Sequence, residues 1–286
     1  MSLSAIGGYM EKIKIVTDST ADLTKELIEE YDIEVVPLTV HIGEESFKDG
    51  SLTLDEYFER MKKSSSFPTT SQVNPQDFHD VYSKYLAEGY KILSIHISSA
   101  LSGTGQSAQI AKDMLETEDI VIIDTMNVSA GIMISVIEAG KMVKAGKNLK
   151  EIEAEVRSHK DRIKLLAAFD TLENLVRGGR LSKAAGAVGG ILGIKPILTI
   201  KDGRLEMKDK VRGTKKALKA LTDFAEAARV KEGTEVVLIH AKADDMVNPI
   251  KSIFDSKGVS CRIVPVGTVI ATHGGPGFAG VFYLEA

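Results

Sequence analysis

Short β-branched runs alternate with amphipathic stretches along the first half of this chain: Ile13 to Val16 then Thr24 to Tyr31, Glu34 to Ile42 then Leu54 to Lys63, and Lys91 to Ile97 then Gly103 to Leu115. Ile120 to Asp124 and a long helical pattern from Ser129 to Lys144 continue the series. Strand followed by helix, repeated, predicts a mostly parallel sheet with helices on both faces, a three-layer α/β/α unit. Local punctuation agrees with the periodicity. Thr53 and Glu56 form a capping box, as do Asn148 and Glu151, and Asn74 precedes Pro75 at a first helical position.

Beyond the polar helix Leu149 to Arg162 the pattern changes. Pro196 to Ile200, the turn Asp202-Gly203 and Arg204 to Lys210 read as a hairpin, since Asp-Gly supplies the positive φ angles of a tight turn. Helical Lys215 to Ala228, strand Glu235 to His240, helical Asn248 to Ser256, and strands Arg262 to Val266 and Gly280 to Leu284 complete an α+β unit with a mixed sheet. The expected organisation is therefore a leader over residues 1–9, foreign to the natural protein, an α/β domain over 11–160 and an α+β domain over 161–286. The length of 286 residues suits two domains.

Charge and cysteine content limit the function classes. With 36 Lys+Arg against 40 Asp+Glu the chain carries −4, which argues against a nucleic-acid binder. Cys261 alone can form neither an internal disulfide nor a thiolate zinc site, so a reducing cytoplasm is the expected compartment. Apolar runs are too short for stable membrane insertion.

Five segments are candidates for chemistry. Thr17-Asp18-Ser19-Thr20 follows a strand expected at the sheet's centre, where ligands of open α/β sheets bind, although Ser19 or Asp22 could equally cap a helix. Pro68 to Gln72 offers three consecutive hydroxyls on a loop. Ser98 to Gly105, with Ser99, Ser102, Gly103 and Thr104, joins a strand to a helix start, where free backbone N–H groups favour an anion. His273 stands in a glycine-rich loop, Ala271 to Gly277, and is the histidine expected to act; His41, His96 and His240 lie in apolar strands and read as structural. Ala184 to Ile194, including Ile191 and Leu192, is uncharged and rich in glycine, suited to packing against an apolar ligand or a sheet. Arg177, Arg180, Lys183, Arg204 and Arg212 could present a cationic surface to an acidic partner.

A rival reading rests on Gly103-x-Gly105-x-x-Ala108 with Asp124 at the end of the next strand, the spacing of a dinucleotide site and hence of a nucleotide-dependent oxidoreductase. Five residues separate the strand from the first glycine, more than that fingerprint allows. The sequence has no P-loop and no Gly-x-Ser-x-Gly nucleophile elbow.

Taken in order, Ile-Val-Thr-Asp-Ser-Thr-Ala-Asp-Leu, Pro-Thr-Thr-Ser-Gln, Ser-Ser-x-Leu-Ser-Gly-Thr, Gly-Gly-Arg-Leu-Ser, Lys195-Pro196 and His-x-Gly-Pro-Gly resemble the DegV family from about residue 12 to the C-terminus. The sequence departs at Val73-Asn74-Pro75, where many members read Pro-Ser after the glutamine. The resemblance implies a two-domain DegV-like fold and a non-catalytic protein that binds one long-chain, palmitate-like fatty acid in an apolar tunnel between the domains, with no cofactor and no metal. It implies that Thr70, Ser102 and His273 hold the carboxylate, with His273 also able to assist transfer. It further implies a partner, an ATP-binding fatty acid kinase subunit that phosphorylates the presented carboxylate for phospholipid synthesis.

Overall fold

The computed structural model describes residues 11–181 and 193–286. In chain order the elements are β1 (Ile13–Asp18), a 3-10 turn (Ser19–Ala21), α1 (Lys25–Tyr31), β2 (Ile33–Val36), β3 (Thr39–Ile42), β4 (Glu45–Lys48), α2 (Leu54–Lys63), β5 (Thr69–Ser71), α3 (Pro75–Ala87), β6 (Lys91–His96), α4 (Thr104–Leu115), β7 (Ile120–Asp124), α5 (Ala130–Lys144) and α6 (Leu149–Arg162). The second half continues with β8 (Ile163–Ala168), α7 (Glu173–Gly178), β9 (Ile194–Lys201), β10 (Arg204–Arg212), α8 (Thr214–Ala227), β11 (Val236–Ala241), α9 (Asp244–Ser256), β12 (Cys261–Pro265), α10 (Thr268–Gly274) and β13 (Phe278–Leu284).

The first sheet is parallel, in the order β2-β1-β6-β7. Its strands bury both faces by alternation. Ile15, Ile33, Leu93, Ile95 and Ile123 meet α5 and α6 on one side. Val16, Val36, Ile92 and Ile120 share a core with Phe78 and Tyr82 of α3 and with Ala108 and Ala111 of α4 on the other. The capping boxes at Thr53 and Asn148 form as the spacing predicts, and Asn74 caps α3 with Pro75 behind it.

The second sheet is mixed, in the order β10-β9-β8-β13-β11-β12, with only the β11–β12 pair parallel. Asp202 and Gly203 both take positive φ at the tip of the β9–β10 hairpin. One face is covered by α8 and α9 through Leu221, Ile250 and Phe254. The other face turns toward α5, whose residues Ala130 to Ile137 are all buried. A helix apolar around its whole circumference needs cover on every side, and α5 has a sheet on each.

Two expectations are corrected. Glu34 to Ile42 is not one strand: Pro37, which has no N–H for a ladder, ends β2, and the chain crosses to β3 in a separate antiparallel sheet, β4-β3-β5. The Pro68 to Gln72 segment is partly strand, because Thr39 to His41 of β3 pair with Thr69 to Ser71 of β5. Among the described residues no helix is long and apolar enough to cross a membrane.

Candidate functional site

The mixed sheet makes room for a cavity by placing its smallest inward residues opposite one another. Along β8 the inward positions are Phe169, just past the strand's end, then Ala167 and Leu165; they face Phe278, Gly280 and Phe282 of β13, with Ala167 opposite Gly280 and Leu165 opposite Phe282. A Cβ on Gly280 would lie 3.2 Å from both Ala167 Cβ and Ile239 Cγ1. Phe169 and Phe278 stack at 4.9 Å above this pair, while Leu165 and Phe282 lie below it. The space left is a cavity of about 330 Å³, lined by these side chains together with Val128, Val269 and Ile270.

The cavity is apolar along most of its wall and polar at one end. There β5 contributes Thr70 and the following Gln72, the turn before α4 contributes Ser102 and Gly103, α10 contributes His273, and the segment after α7 contributes Arg180. Thr70 Oγ1 lies 2.8 Å from His273 Nε2. Ser102 Oγ lies 2.9 Å from Thr104 Oγ1 and accepts the Thr104 N–H at 3.3 Å, so Ser102 is held by the start of α4. Arg180 donates from Nε to the Leu101 carbonyl at 3.2 Å and from Nη1 to the Gly178 carbonyl. Gln72 donates to Ser107 Oγ at 2.9 Å, and its amide occupies the space a Cβ on Gly103 would need.

His273 stands in the last turn of a short helix, not in the glycine loop expected for it. That helix belongs to the second half of the chain, yet acidic residues of the first half hold its start. Asp49 Oδ1 accepts Thr268 N–H and O–H at 2.8 and 2.7 Å and Val269 N–H at 3.2 Å, while Asp22 Oδ1 accepts Gly267 N–H at 2.8 Å. Tyr57 O–H and Thr272 Oγ1 lie 2.8 Å apart, and Asn174 Nδ2 donates to the Thr272 carbonyl at 2.9 Å. Gly178 closes the arrangement: a Cβ there would lie 2.3 Å from His273 Nδ1.

Burial, then the nearby Arg180 charge, pushes the His273 pKa down to about 4, so the imidazole is neutral at pH 7. Nδ1 is buried with no partner among the described residues. The tautomer with the proton on Nε2 donates to Thr70 Oγ1 and leaves the Thr70 hydroxyl proton free to point into the cavity. The polar end thus combines two hydroxyls, an amide, a neutral imidazole and one guanidinium, a set suited to one anionic oxygen group.

The other expected residues divide clearly. Gly103 lines the cavity. Ser19 does not: its hydroxyl accepts the Leu38 N–H at 3.1 Å and works where the chain leaves the parallel sheet. Ser99 is exposed, its N–H bonded to Asp124, and Thr104 is buried beneath Ser102. Lys183, Ile191 and Leu192 lie outside the described residues. Of the described basic residues, Arg180 and Arg204 are brought near each other by the bridge between their neighbours Leu181 and Leu205. Arg204 and Arg212 sit at opposite ends of β10, about 27 Å apart at 3.4 Å per residue. Arg177 pairs with Glu173 and lies over the Phe67 ring, and Arg180 belongs to the cavity.

The dinucleotide reading is not supported by the geometry. Gln72 fills the approach to Gly103, and the Asp124 carboxylate already accepts Ser99 and Met126 N–H groups. His41 and His96 prove to be hydrogen-bonded within the fold, His96 to Asp18 and Ser94. Asp22, Asp49, Tyr57, Asn174 and Gln72 escaped sequence reasoning as parts of the site. Gln72 carried a local signal in its place in the hydroxyl-rich segment, and Asp22 one in the motif that follows β1.

Fold and cavity together define an α/β protein with an amphipathic chamber, lined mainly by apolar side chains with a cluster of polar ones around Thr70, Ser102 and His273. A profile of the DegV family of uncharacterised proteins matches residues 12–286, and the chain belongs to that family. The DegV domain-containing protein CPE1310 of Clostridium perfringens is 43% identical over 277 residues, 96% of this chain and 99% of the relative. Among solved structures, a fatty-acid-binding DegV family protein from Thermus thermophilus is 33% identical with a TM-score of 0.87, covering 96% of this chain and all of that one. The fatty acid kinase B3 protein of Streptococcus pneumoniae, solved loaded with linoleic acid, is 25% identical with a TM-score of 0.83, over 96% of this chain and all of its own.

Proposed function

We propose that this protein binds one long-chain, palmitate-like fatty acid, its tail in the chamber and its carboxylate on Thr70, Ser102 and His273. One observation carries this reading: Thr70 and His273, 203 residues apart in the chain, meet in the wall of a cavity lined mainly by apolar side chains. Solved DegV proteins that bind fatty acids support it. The Thr70 and Ser102 hydroxyls satisfy a desolvated carboxylate by donation, the neutral imidazole backing Thr70 through its single N–H, while methylenes buried along β8 and β13 supply affinity at roughly 0.8 kcal/mol each. The Arg180 guanidinium adds positive charge where an acyl phosphate would develop.

On this reading the chain is a non-catalytic carrier in the cytoplasm, and an ATP-binding kinase subunit is its partner. The carboxylate is presented to that subunit at the mouth, beside the exposed Arg177 of α7. The chain divides near residue 160 into 11–160 and 161–286, with the ligand between the two; Thr70 and Ser102 come from the first part and His273 and Arg180 from the second. The test is mass spectrometry of the purified protein, native and then after organic extraction. One long-chain acid per chain is expected, with retention reduced in the Thr70→Ala/Ser102→Ala double variant. A protein that is empty and takes up neither palmitate nor oleate would refute the function.

A further inference from the structure

The mixed sheet is not zipped along its whole length. β8 and β9 pair at Ala167 with Leu198 and Ala168 with Ile197, Phe169 N–H continues the pairing to the Pro196 carbonyl at 2.9 Å, and on the Leu165 side the ladder ends. At the parting, Thr199 Oγ1 donates to the Leu165 carbonyl at 2.9 Å, a side chain serving where the ladder would continue. The gap is a second cavity, about 520 Å³, lined by Ile163, Thr199, Ile200 and Phe224 and rimmed by exposed Lys160 and Lys201.

Inward side chains on a strand recur every second residue, roughly 6.6 Å apart. On β8 they are Ala167 and Leu165, which line the chamber, then Ile163, which lines the gap instead. Leu165 lines both cavities and is 3% exposed. One isobutyl group therefore stands between the apolar depth of the chamber and an opening to the surface. Its partner across the ladder, Phe282, lines the chamber alone, and among the described residues Leu165 is the one that both cavities share.

We propose that Leu165 is the end stop of the acyl chamber and sets the longest chain the protein retains, the split between β8 and β9 being the space a longer tail would enter. This rests on the fatty-acid reading. Stopping the tail at Leu165 keeps its terminal carbons away from a gap rimmed by the charged residues Lys160, Asp161, Lys201 and Asp202, so length is selected by the polar surroundings a longer chain would enter.

The experiment offers lipid-stripped wild type, Leu165→Ala and Leu165→Val an equimolar mixture of saturated acids of graded length, and identifies the bound acids by mass spectrometry. Leu165→Ala removes three carbons from the wall, and the retained distribution is expected to lengthen by about three methylenes, with about one for Leu165→Val. Leu165→Val also serves if the alanine variant does not fold. Thr199→Val, which removes the hydroxyl bridge and leaves the wall, is expected to keep the wild-type distribution. Identical distributions in wild type and both Leu165 variants, each holding one acid per chain, would overturn the end stop while leaving fatty-acid binding intact. A wild type that takes no acid at all would overturn the underlying reading.

Discussion

A single methyl group at residue 178 should act on this protein through His273. The Cβ of Gly178→Ala would lie 2.3 Å from His273 Nδ1 and 3.1 Å from Cε1, whereas carbon atoms in contact rest about 3.5 to 4 Å apart. Either the ring or the end of α7 must give by more than 1 Å. The ring is held on its other side by the 2.8 Å contact with Thr70, and α10 behind it is fixed by Asp49, Asp22 and Asn174. Overpacking of this kind costs about 1 to 3 kcal/mol. Alanine's better helix propensity offsets up to ~1 kcal/mol of it. The net loss expected is about 1 to 2 kcal/mol, which at the 2 to 4 °C per kcal/mol of chains this large is roughly 2 to 8 °C in Tm. Retention of the fatty acid should fall with it, because the donor behind Thr70 is displaced.

The assay that isolates the cause is a double-mutant cycle. In a His273→Ala background the obstructed ring is gone, so Gly178→Ala should be neutral or slightly stabilising, giving a coupling of about 1 to 3 kcal/mol between the sites. Thermal denaturation of wild type, both single variants and the double variant measures it. An equal cost for Gly178→Ala in both backgrounds would refute the assignment of that glycine to the imidazole.

Two further expectations concern charge. Burial above all pushes the Asp22 carboxyl from 3.8 up to about 8, with Asp49 and Asp18 adding to the rise. The native state then keeps a proton that the unfolded chain has released, and stability contributed by this group falls as pH rises through that window, by up to ~1.4 kcal/mol per pH unit. His273, depressed to about 4, has the opposite slope only below its unfolded value of 6.5, so above 6.5 the falling slope comes from Asp22 and from Asp49, whose carboxyl burial also raises. Asp22→Asn should flatten denaturation midpoints there relative to wild type; parallel pH profiles would contradict the reasoning. Arg180→Gln should raise the His273 pKa from about 4 while leaving it below 6.5, since burial is the larger cause, and an NMR titration of the imidazole that shows no rise would remove Arg180 from its surroundings.

The readable parts of the fold were those whose physics closes within a few residues. Thr53 with Glu56 and Asn148 with Glu151 satisfy helix N–H groups three positions away, and Asp202-Gly203 turns a hairpin on its own torsion angles. Alternation of β-branched and amphipathic segments was enough for the parallel sheet. Where the signal was ambiguous, local reasoning failed: Glu34 to Ile42 is β-prone on both sides of Pro37, and its division between two sheets depends on which strands are free to pair. The six-residue β8, which carries the chamber wall, went unnoticed because it follows α6 directly, Arg162 to Ile163, with no turn residue between them.

Sequence by itself determined the residue types at the mouth, Thr70, Ser102 and His273, and through the family resemblance the ligand expected there. Local chemistry did not separate Ser19 and Ser99 from Ser102, since each is a serine near a strand end; the resemblance singled out Ser102, and placement distinguishes the three in the fold. Tertiary structure alone decided that Asp49 holds a helix 219 residues away, that Gly178 makes room for an imidazole and that Arg180 faces the chamber. The reason is physical: a hydroxyl, a carboxylate or a missing side chain has the same local chemistry wherever it stands, and its role is set by the groups that chain folding brings within about 3 Å of it.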